Sequence, residues 1–347
     1  MPQYIADIEK HLLEFKKPAV TSRGSYAQKE VWLLKLTARD NPLVTGVGEC
    51  SPFVDLSIDA VPHYESKLRE ICALITDGID PRSLELQDYP SIQFGLETAL
   101  LDLKHGGKHI IYPSEFVSAQ KPIPINGLIW MDTKEEMLKQ VANKIEEGYT
   151  CVKMKIGALD FDEECRMLET IRKHYSAFKI ELRVDANGAF KPDTALEQLK
   201  ELSRFELHSI EQPIKQKQWD YMQELCAKTP LPIALDEDLI GVDVKEDGDK
   251  LLSFIKPQYI ILKPSLIGGF KAGQAWIDKA NKQTIGWWVT SALESNIGLN
   301  AIAQWTVTLN SPLPQGLGTG KLFKSNFTCP LDIHQGHLYY RKDKNWA

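Results

Sequence analysis

The chain lacks the features that would tie it to a membrane, a nucleic acid or an oxidising compartment. No apolar run in its 347 residues approaches the roughly 20 that a membrane-spanning helix needs, and the N-terminus carries no signal-peptide pattern. Cationic charge is not in excess. The 41 Lys and Arg stand against 47 Asp and Glu, a formal net charge of −6, which argues against a general nucleic-acid surface. The six cysteines (Cys50, Cys72, Cys151, Cys165, Cys226 and Cys329) are scattered without a C-x-x-C pair, so they read as buried thiols rather than a disulfide framework. No low-complexity linker divides the chain. These absences leave a cytoplasmic enzyme with a small-molecule substrate, no membrane or nucleic-acid partner, and an oligomeric state that the sequence leaves open.

What is present is a repeated theme. From about residue 121, short β-branched runs alternate with segments of helical period: "PINGLIW", "CVKMKIG", "IELRVDANGAF", "LHSIEQPI", "LPIALDEDL", "YIILKPSLIGG" and "GWWVTSALES" each precede a helical pattern or a short stand-in for one. Such alternation means parallel strands with crossover helices. Seven strands are visible and "LPQGLGTG" can supply an eighth, which favours a (β/α)8 barrel over residues 121–320, with a doubly wound sheet as the other arrangement. The fifth helix is weak, since "KEDGDKLLSFIKPQ" holds at most a short one. Residues 1–120 read as a separate α+β unit. "EVWLLKLTA" alternates like a half-exposed strand and "VGEC" ends its partner, while Ser91 can N-cap the helix in "SIQFGLETALLDLKH". Residues 321–347 are expected to return to that unit.

The charged residues fall in phase with this repeat. In "TCVKMKIG" a strand places Lys153 and Lys155 on one face, opposite Val152, Met154 and Ile156. Two lysines on a flanked face need a negative partner. Asp185, Glu211, Asp236 and Lys263 follow at intervals of 25 to 30 residues, about one βα unit each, and every one stands near the C-terminal end of its strand. In a barrel those ends form one rim, so three carboxylates converge with lysines on either side. Each residue alone has an ordinary reading: a turn for Asp185 and Asn187, a solvated edge for the lysine pair. Five on successive units in phase do not. His105, His109, His174 and His208 read as structural, and Trp287 and Trp288 as core and pocket wall.

Three oxygen ligands without His or Cys suit Mg²⁺, with Mn²⁺ as a substitute, rather than Zn²⁺. Lysines beside such a cation are expected to lose their protons more readily, which would make one of them a general base near neutral pH. Metal plus base is suited to removing a proton next to a carboxylate. A Schiff-base lysine on a similar barrel is the rival chemistry, but it leaves the carboxylates unexplained.

"VKMKIG", "RVDANG", "IEQPI", "LDED" and "LKPSLIGG" resemble the enolase superfamily, in the branch typified by muconate-lactonizing enzyme. The resemblance implies an N-terminal α+β capping domain on a modified (β/α)8 TIM-like barrel. It makes Asp185, Glu211 and Asp236 the Mg²⁺ ligands, Lys155 the principal acid and base, Lys263 the opposing lysine, and Lys153 a support for Lys155. Within the branch, "TSALESNIG" is similar to the o-succinylbenzoate synthase family, with N-succinylamino acid racemases the nearest alternative. The strand-eight segment, Gly316 to Gly320, has no carboxylate, which disfavours dipeptide epimerisation, and Gly318 stands where many relatives have Asp. The implied reaction is dehydration of 2-succinyl-6-hydroxy-2,4-cyclohexadiene-1-carboxylate to o-succinylbenzoate, a step towards menaquinone. Thr290, Ser291, Gly316 and Arg23 are the candidate substrate contacts. The loop at Ser22–Gly24 and the segment Cys50–Phe53 are expected to close the mouth.

Overall fold

The computed structural model describes residues 3–21 and 24–346. Its first element is an antiparallel sheet of β1 (Tyr4–Thr21), β2 (Gly24–Ala38) and β3 (Asn41–Cys50), in that order. The helices Tyr64–Thr76 and Pro90–Lys104 pack on it, and Trp32, Leu34 and Leu36 of β2 meet Leu68, Ile71 and Ile92 in one core. Glycine permits the close fit: a Cβ on Gly48 would fall 1.8 Å from the Gly95 carbonyl oxygen, and one on Gly46 would fall 2.1 Å from that of Ala99. The second face of β2 is covered as well. Val31 packs with Leu13, Phe15 and Phe323, so the strand expected to be half exposed is buried on both faces around Val31, while Lys35 further along stays partly open to solvent. Ser91 is not the N-cap. Pro90 opens that helix, its fixed φ suiting the first position, and Asp59 Oδ2 accepts both Ser91 N at 2.8 Å and Ser91 Oγ at 2.6 Å.

The chain then enters the barrel through β4 (Ile123–Pro124). The strands β5 (Gly127–Ile129), β6 (Cys151–Lys155), β7 (Glu181–Asp185), β8 (Ser209–Glu211), β9 (Ile233–Leu235), β10 (Tyr259–Leu262) and β11 (Gly286–Val289) follow, parallel and paired in sequence order. The eighth position is only a seam. Gln315 bridges Ile125 and Gly316 bridges Thr290, with Asn126 N donating to Gln315 O and Ser291 N to Gly316 O, both at 3.0 Å. The sheet thus closes on itself, as a doubly wound sheet would not. Outer helices carry the expected end signals. Thr133, Asp160 and Ser295 accept backbone N–H groups at helix starts, and Phe161–His174 has acids in its first turn and bases in its last. The fifth helix of the barrel, Gly248–Ile255, has eight residues.

Past the seam the chain runs beside β1, where Lys16 N donates to Leu322 O and Lys324 N to Glu14 O. It then forms β12 (Leu331–His334) and β13 (His337–Tyr340), and β13 pairs with β4 at the entrance to the barrel. The six cysteines are free thiols. Among the described residues no helix is long and apolar enough to cross a membrane.

Candidate active site

Pleat alternation decides which side chains enter the barrel. On β6 the apolar Val152 and Met154 join the core between sheet and helices, which turns Lys153 and Lys155 inward. Register aligns the rest: Lys155 stands opposite Asp185, and Asp185 opposite Glu211. Glu211 pairs with Ala234, two residues before Asp236 and so on the same face, and Lys263 directly follows β10. All six side chains are buried.

The charges meet closely. Lys153 Nζ donates to Asp185 Oδ2 at 2.8 Å and to Glu211 Oε2 at 2.5 Å. Lys155 Nζ donates to the same Asp185 oxygen at 2.5 Å and to Asn187 Oδ1 at 2.7 Å, and Lys263 pairs with Asp236. Asn187 adopts a left-handed φ of 45° that lets its N–H reach Asp185 Oδ1, while its side-chain amide donates to Glu237 Oε1 at 3.0 Å. Gln212 links the next two strand ends: its Oε1 accepts Asp236 N and its Nε2 donates to Asp238 Oδ2.

Burial pulls the Lys155 ammonium below its ordinary value, and the neighbouring charge of Lys153 adds to that. Lys153 and Lys263 go the other way. Burial presses on them too, but Asp185 and Glu211 outweigh it for Lys153, and Asp236 and Glu211 for Lys263, so both rise. Of the three lysines only Lys155 is lowered, and loss of water rather than like charge is the main cause. Asp185 is raised by burial, yet Lys153 and Lys155 overcome this and hold it well below the usual carboxylate range. Burial and the charge of Asp185 push Glu211 up to about 7.

Among the described residues no three His, Cys, Asp or Glu side chains stand in a metal-holding array. The ammonium groups pair with Asp185 Oδ2, Glu211 Oε2 and Asp236 Oδ2. The donor set still fits a hard divalent cation, since it is all carboxylate oxygen on adjacent strand ends. Glu211 Oε1 is buried without a hydrogen-bond partner, and Lys263 Nζ stands 3.9 Å from it.

Above the rim lies a cavity of about 820 Å³, open solvent at its mouth included. Lys153, Lys155 and Lys263 face it, as do the expected contacts Thr290, Ser291 and Gly316. Arg23 and Ser22 lie outside the described residues. Of the segment Cys50–Phe53 only Phe53 lines the cavity; Tyr26 and Leu56 join it from the capping unit. Trp288 does not form pocket wall. It fills the barrel below the rim with Ala234 and Ile261, while Trp287 donates to Asn281 Oδ1 outside.

Sequence reasoning passed over Asn126. It faces the cavity from the position just before β5, and its Oδ1 is buried without a partner, as is Thr290 Oγ1. These are two polar atoms free for a substrate. Gly316 makes room for the second, since a Cβ there would lie 2.5 Å from Thr290 Oγ1. At Gly318 a Cβ would meet nothing nearer than 3.6 Å, so the missing acid leaves space.

Residues 136–343 match the family described as Enolase C-terminal domain-like. The o-succinylbenzoate synthase of Desulfotalea psychrophila is 43% identical, over 94% of this chain and 96% of its own length. The crystal structure of MenC from the same organism has a TM-score of 0.86 at 41% identity, covering 97% of this chain and 99% of that one. The N-succinylamino acid racemase of an Amycolatopsis species is 26% identical over 92% of this chain and 88% of its own. With a family match over more than half its length on a closed, capped barrel, the chain belongs to the enolase superfamily, in the muconate-lactonizing-enzyme branch.

Proposed function

We propose that the chain is an o-succinylbenzoate synthase of the cytoplasm, dehydrating 2-succinyl-6-hydroxy-2,4-cyclohexadiene-1-carboxylate to o-succinylbenzoate for menaquinone biosynthesis. One observation carries the reading: Lys155 and Lys263 reach a single cavity from opposite sides of the rim, above three strand-end carboxylates. The reading is supported by the 43% identity to a synthase over nearly the whole chain.

Lys155 in its neutral form takes the proton α to the ring carboxylate, and its lowered pKa makes that form more accessible. The C–H electron pair becomes ring double bond as the C–O bond of the 6-hydroxyl breaks. The same ammonium, now charged, gives its proton to the departing oxygen, so water leaves on the face from which the proton came. Lys263 stays protonated and stabilises the negative charge that builds on the carboxylate. Asp185, Glu211 and Asp236 would hold Mg²⁺, which supplies Lewis-acid neutralisation of that carboxylate. Lys153 fixes Asp185 and Glu211 and so the position of Lys155. Asn126 and Thr290 offer the polar contacts for the succinyl arm, with Ser291 and Gly316 beside them; Arg23 is the remaining candidate from the capping unit, residues 1–120.

Racemisation of N-succinylamino acids is the second reading, favoured by the same two-sided pair of lysines. It needs proton exchange on both faces of one carbon, whereas syn dehydration needs only Lys155. The expected result is efficient turnover of the cyclohexadiene carboxylate and little α-deuterium uptake by N-succinylamino acids in D₂O. Rapid uptake into both enantiomers with slow dehydration would assign the racemase.

A further inference from the structure

Two charged side chains of the capping sheet lie buried against the barrel, outside the set of lysines and carboxylates described above. Lys29 on β2 is 6% exposed, and its Nζ donates to the carbonyls of Ala292 at 2.8 Å and Leu293 at 3.0 Å. Glu49 on β3 is fully buried and accepts from Ser295 N at 2.9 Å, from the Ser295 hydroxyl, and from Gly298 N at 2.8 Å. Both reach across the domain boundary to one turn, residues 290–295, which leaves β11 and leads into the helix Asn296–Thr308.

Glu294 braces the turn from within. It accepts from Ser291 Oγ at 2.5 Å, from Ala292 N at 2.8 Å, and from the Ser265 hydroxyl. At its centre Leu293 has a φ of 62°, a left-handed backbone that a leucine adopts only where its surroundings over-determine it. Ser291 Oγ accepts the Leu293 N–H at 3.1 Å and Lys29 takes the carbonyl, so the strained residue is held at both ends. Thr290, Ser291, Ala292 and Leu293 are all wall of the cavity. Even the glycine that closes "TSALESNIG" belongs to the device, because a Cβ on Gly298 would stand 2.9 Å from Glu49 Oε2.

We propose that Lys29 and Glu49 are positioning residues that set the shape of the substrate pocket: from the capping sheet they hold the 290–295 turn, and through it the wall from Thr290 to Leu293. Burial pulls the Lys29 ammonium below its ordinary value while Glu294 and Glu49 oppose this. An ammonium kept in such a place is costly, and what it secures is the geometry of two carbonyls. The capping unit thereby shapes one wall of the pocket from its own sheet, with the Lys29 ammonium 5.3 Å from the ring centroid of Phe53, which lines the same cavity.

The test uses Lys29→Met, which keeps the stem and removes the ammonium, Glu49→Gln, and Lys29→Arg as the conservative variant. Amide hydrogen exchange across residues 288–298 is read first. Loss of a charge-assisted hydrogen bond should speed exchange in the turn by about 10-fold or more in Lys29→Met, with part of the protection kept in Lys29→Arg. With the cyclohexadiene carboxylate as substrate, KM should rise by about 10-fold while kcat stays within about threefold. Unchanged exchange in the turn overturns the proposal, and so does a lower Tm with KM unmoved, or a loss confined to kcat. The kinetic arm rests on the proposed dehydration and the exchange arm does not. A wild-type protein that fails to turn the substrate over refutes the dehydration reading, and exchange then decides this one alone. If Lys29→Met does not fold, Glu49→Gln and Lys29→Arg are read by the same criteria.

Discussion

Strand β7 carries Arg183 and Asp185 on the same inward face, one pleat apart, and the two charges have different company. Below the rim, the Arg183 guanidinium lies 4.2 Å from the Trp288 ring centroid, with Nε on Glu181 Oε1 at 2.7 Å and Nη1 on Pro314 O at 2.9 Å. Above it, Asp185 shares one oxygen between two lysines. An arginine does not give up its proton in a protein, and its planar fork is held by fixed partners. A lysine is a point charge on a flexible stem whose protonation burial can shift. The lower layer uses buried charge as a strut. The upper layer keeps it exchangeable, and only there can it do chemistry.

The largest expected effect tests the upper layer as a whole. Exhaustive chelation should abolish dehydration and Mg²⁺ or Mn²⁺ should restore it, with Glu211→Gln binding Mg²⁺ more weakly in calorimetric titration while its circular dichroism is unchanged. Full activity after chelation would remove the metal from the account. Next, Lys155→Ala should lower kcat on the order of 10²–10⁴-fold, the usual worth of a positioned acid–base group, and a smaller loss would hand that role to another residue. Lys263 is asked for charge rather than proton transfer, so Lys263→Arg should retain clearly more activity than Lys263→Ala. Equal rates would refute the electrostatic role.

A finer contrast lies in pH. The base must be neutral, so kcat/KM should rise with pH as Lys155 loses its proton, along a limb displaced to the acid side of an ordinary lysine because burial lowers its pKa. Lys153 adds to that lowering, and Lys153→Met should therefore move the limb to higher pH; a shift to lower pH would contradict the geometry. The smallest expected effect on rate comes from the strut. Arg183→Met should leave the limb in place and kcat within about threefold, yet lower Tm by about 2 °C or more, since it removes a buried guanidinium from the Pro314 carbonyl, the Trp288 ring and the half-buried Glu181. A large kcat loss at unchanged Tm would erase the distinction between the layers.

Where the sequence was legible, a local rule and the tertiary contact agreed. Strand–helix alternation placed Lys155, Asp185, Glu211, Asp236 and Lys263 at successive strand ends because a barrel repeats one unit, and a phase carries through it. No strand was read over β1, an 18-residue element, since its charges and its exposed Ile5 and Leu12 blur the alternation. Asn126 was missed because a small polar residue near a strand start has no pattern of its own. Nothing in the local sequence singles out Lys29 or Glu49. Their partners lie 263 and 246 residues away along the chain, beyond any window in which periodicity can speak. Ser91 shows the opposite failure, a local preference overridden when Pro90 and a distant Asp59 settled the helix start.

The seam at Gln315 and Gly316 has a consequence for how the molecule is made. The first and last barrel strands meet only there, so the ring cannot close until the chain has been synthesised past residue 316. Gly318 and Thr319 complete the pocket wall just beyond, and β13 then latches onto β4. A nascent chain that has already assembled β5 to β11 therefore exposes two unpaired strand edges and no finished pocket. Catalytic competence arrives last, and the interval before it is when the protein is most open to aggregation or to capture by a chaperone.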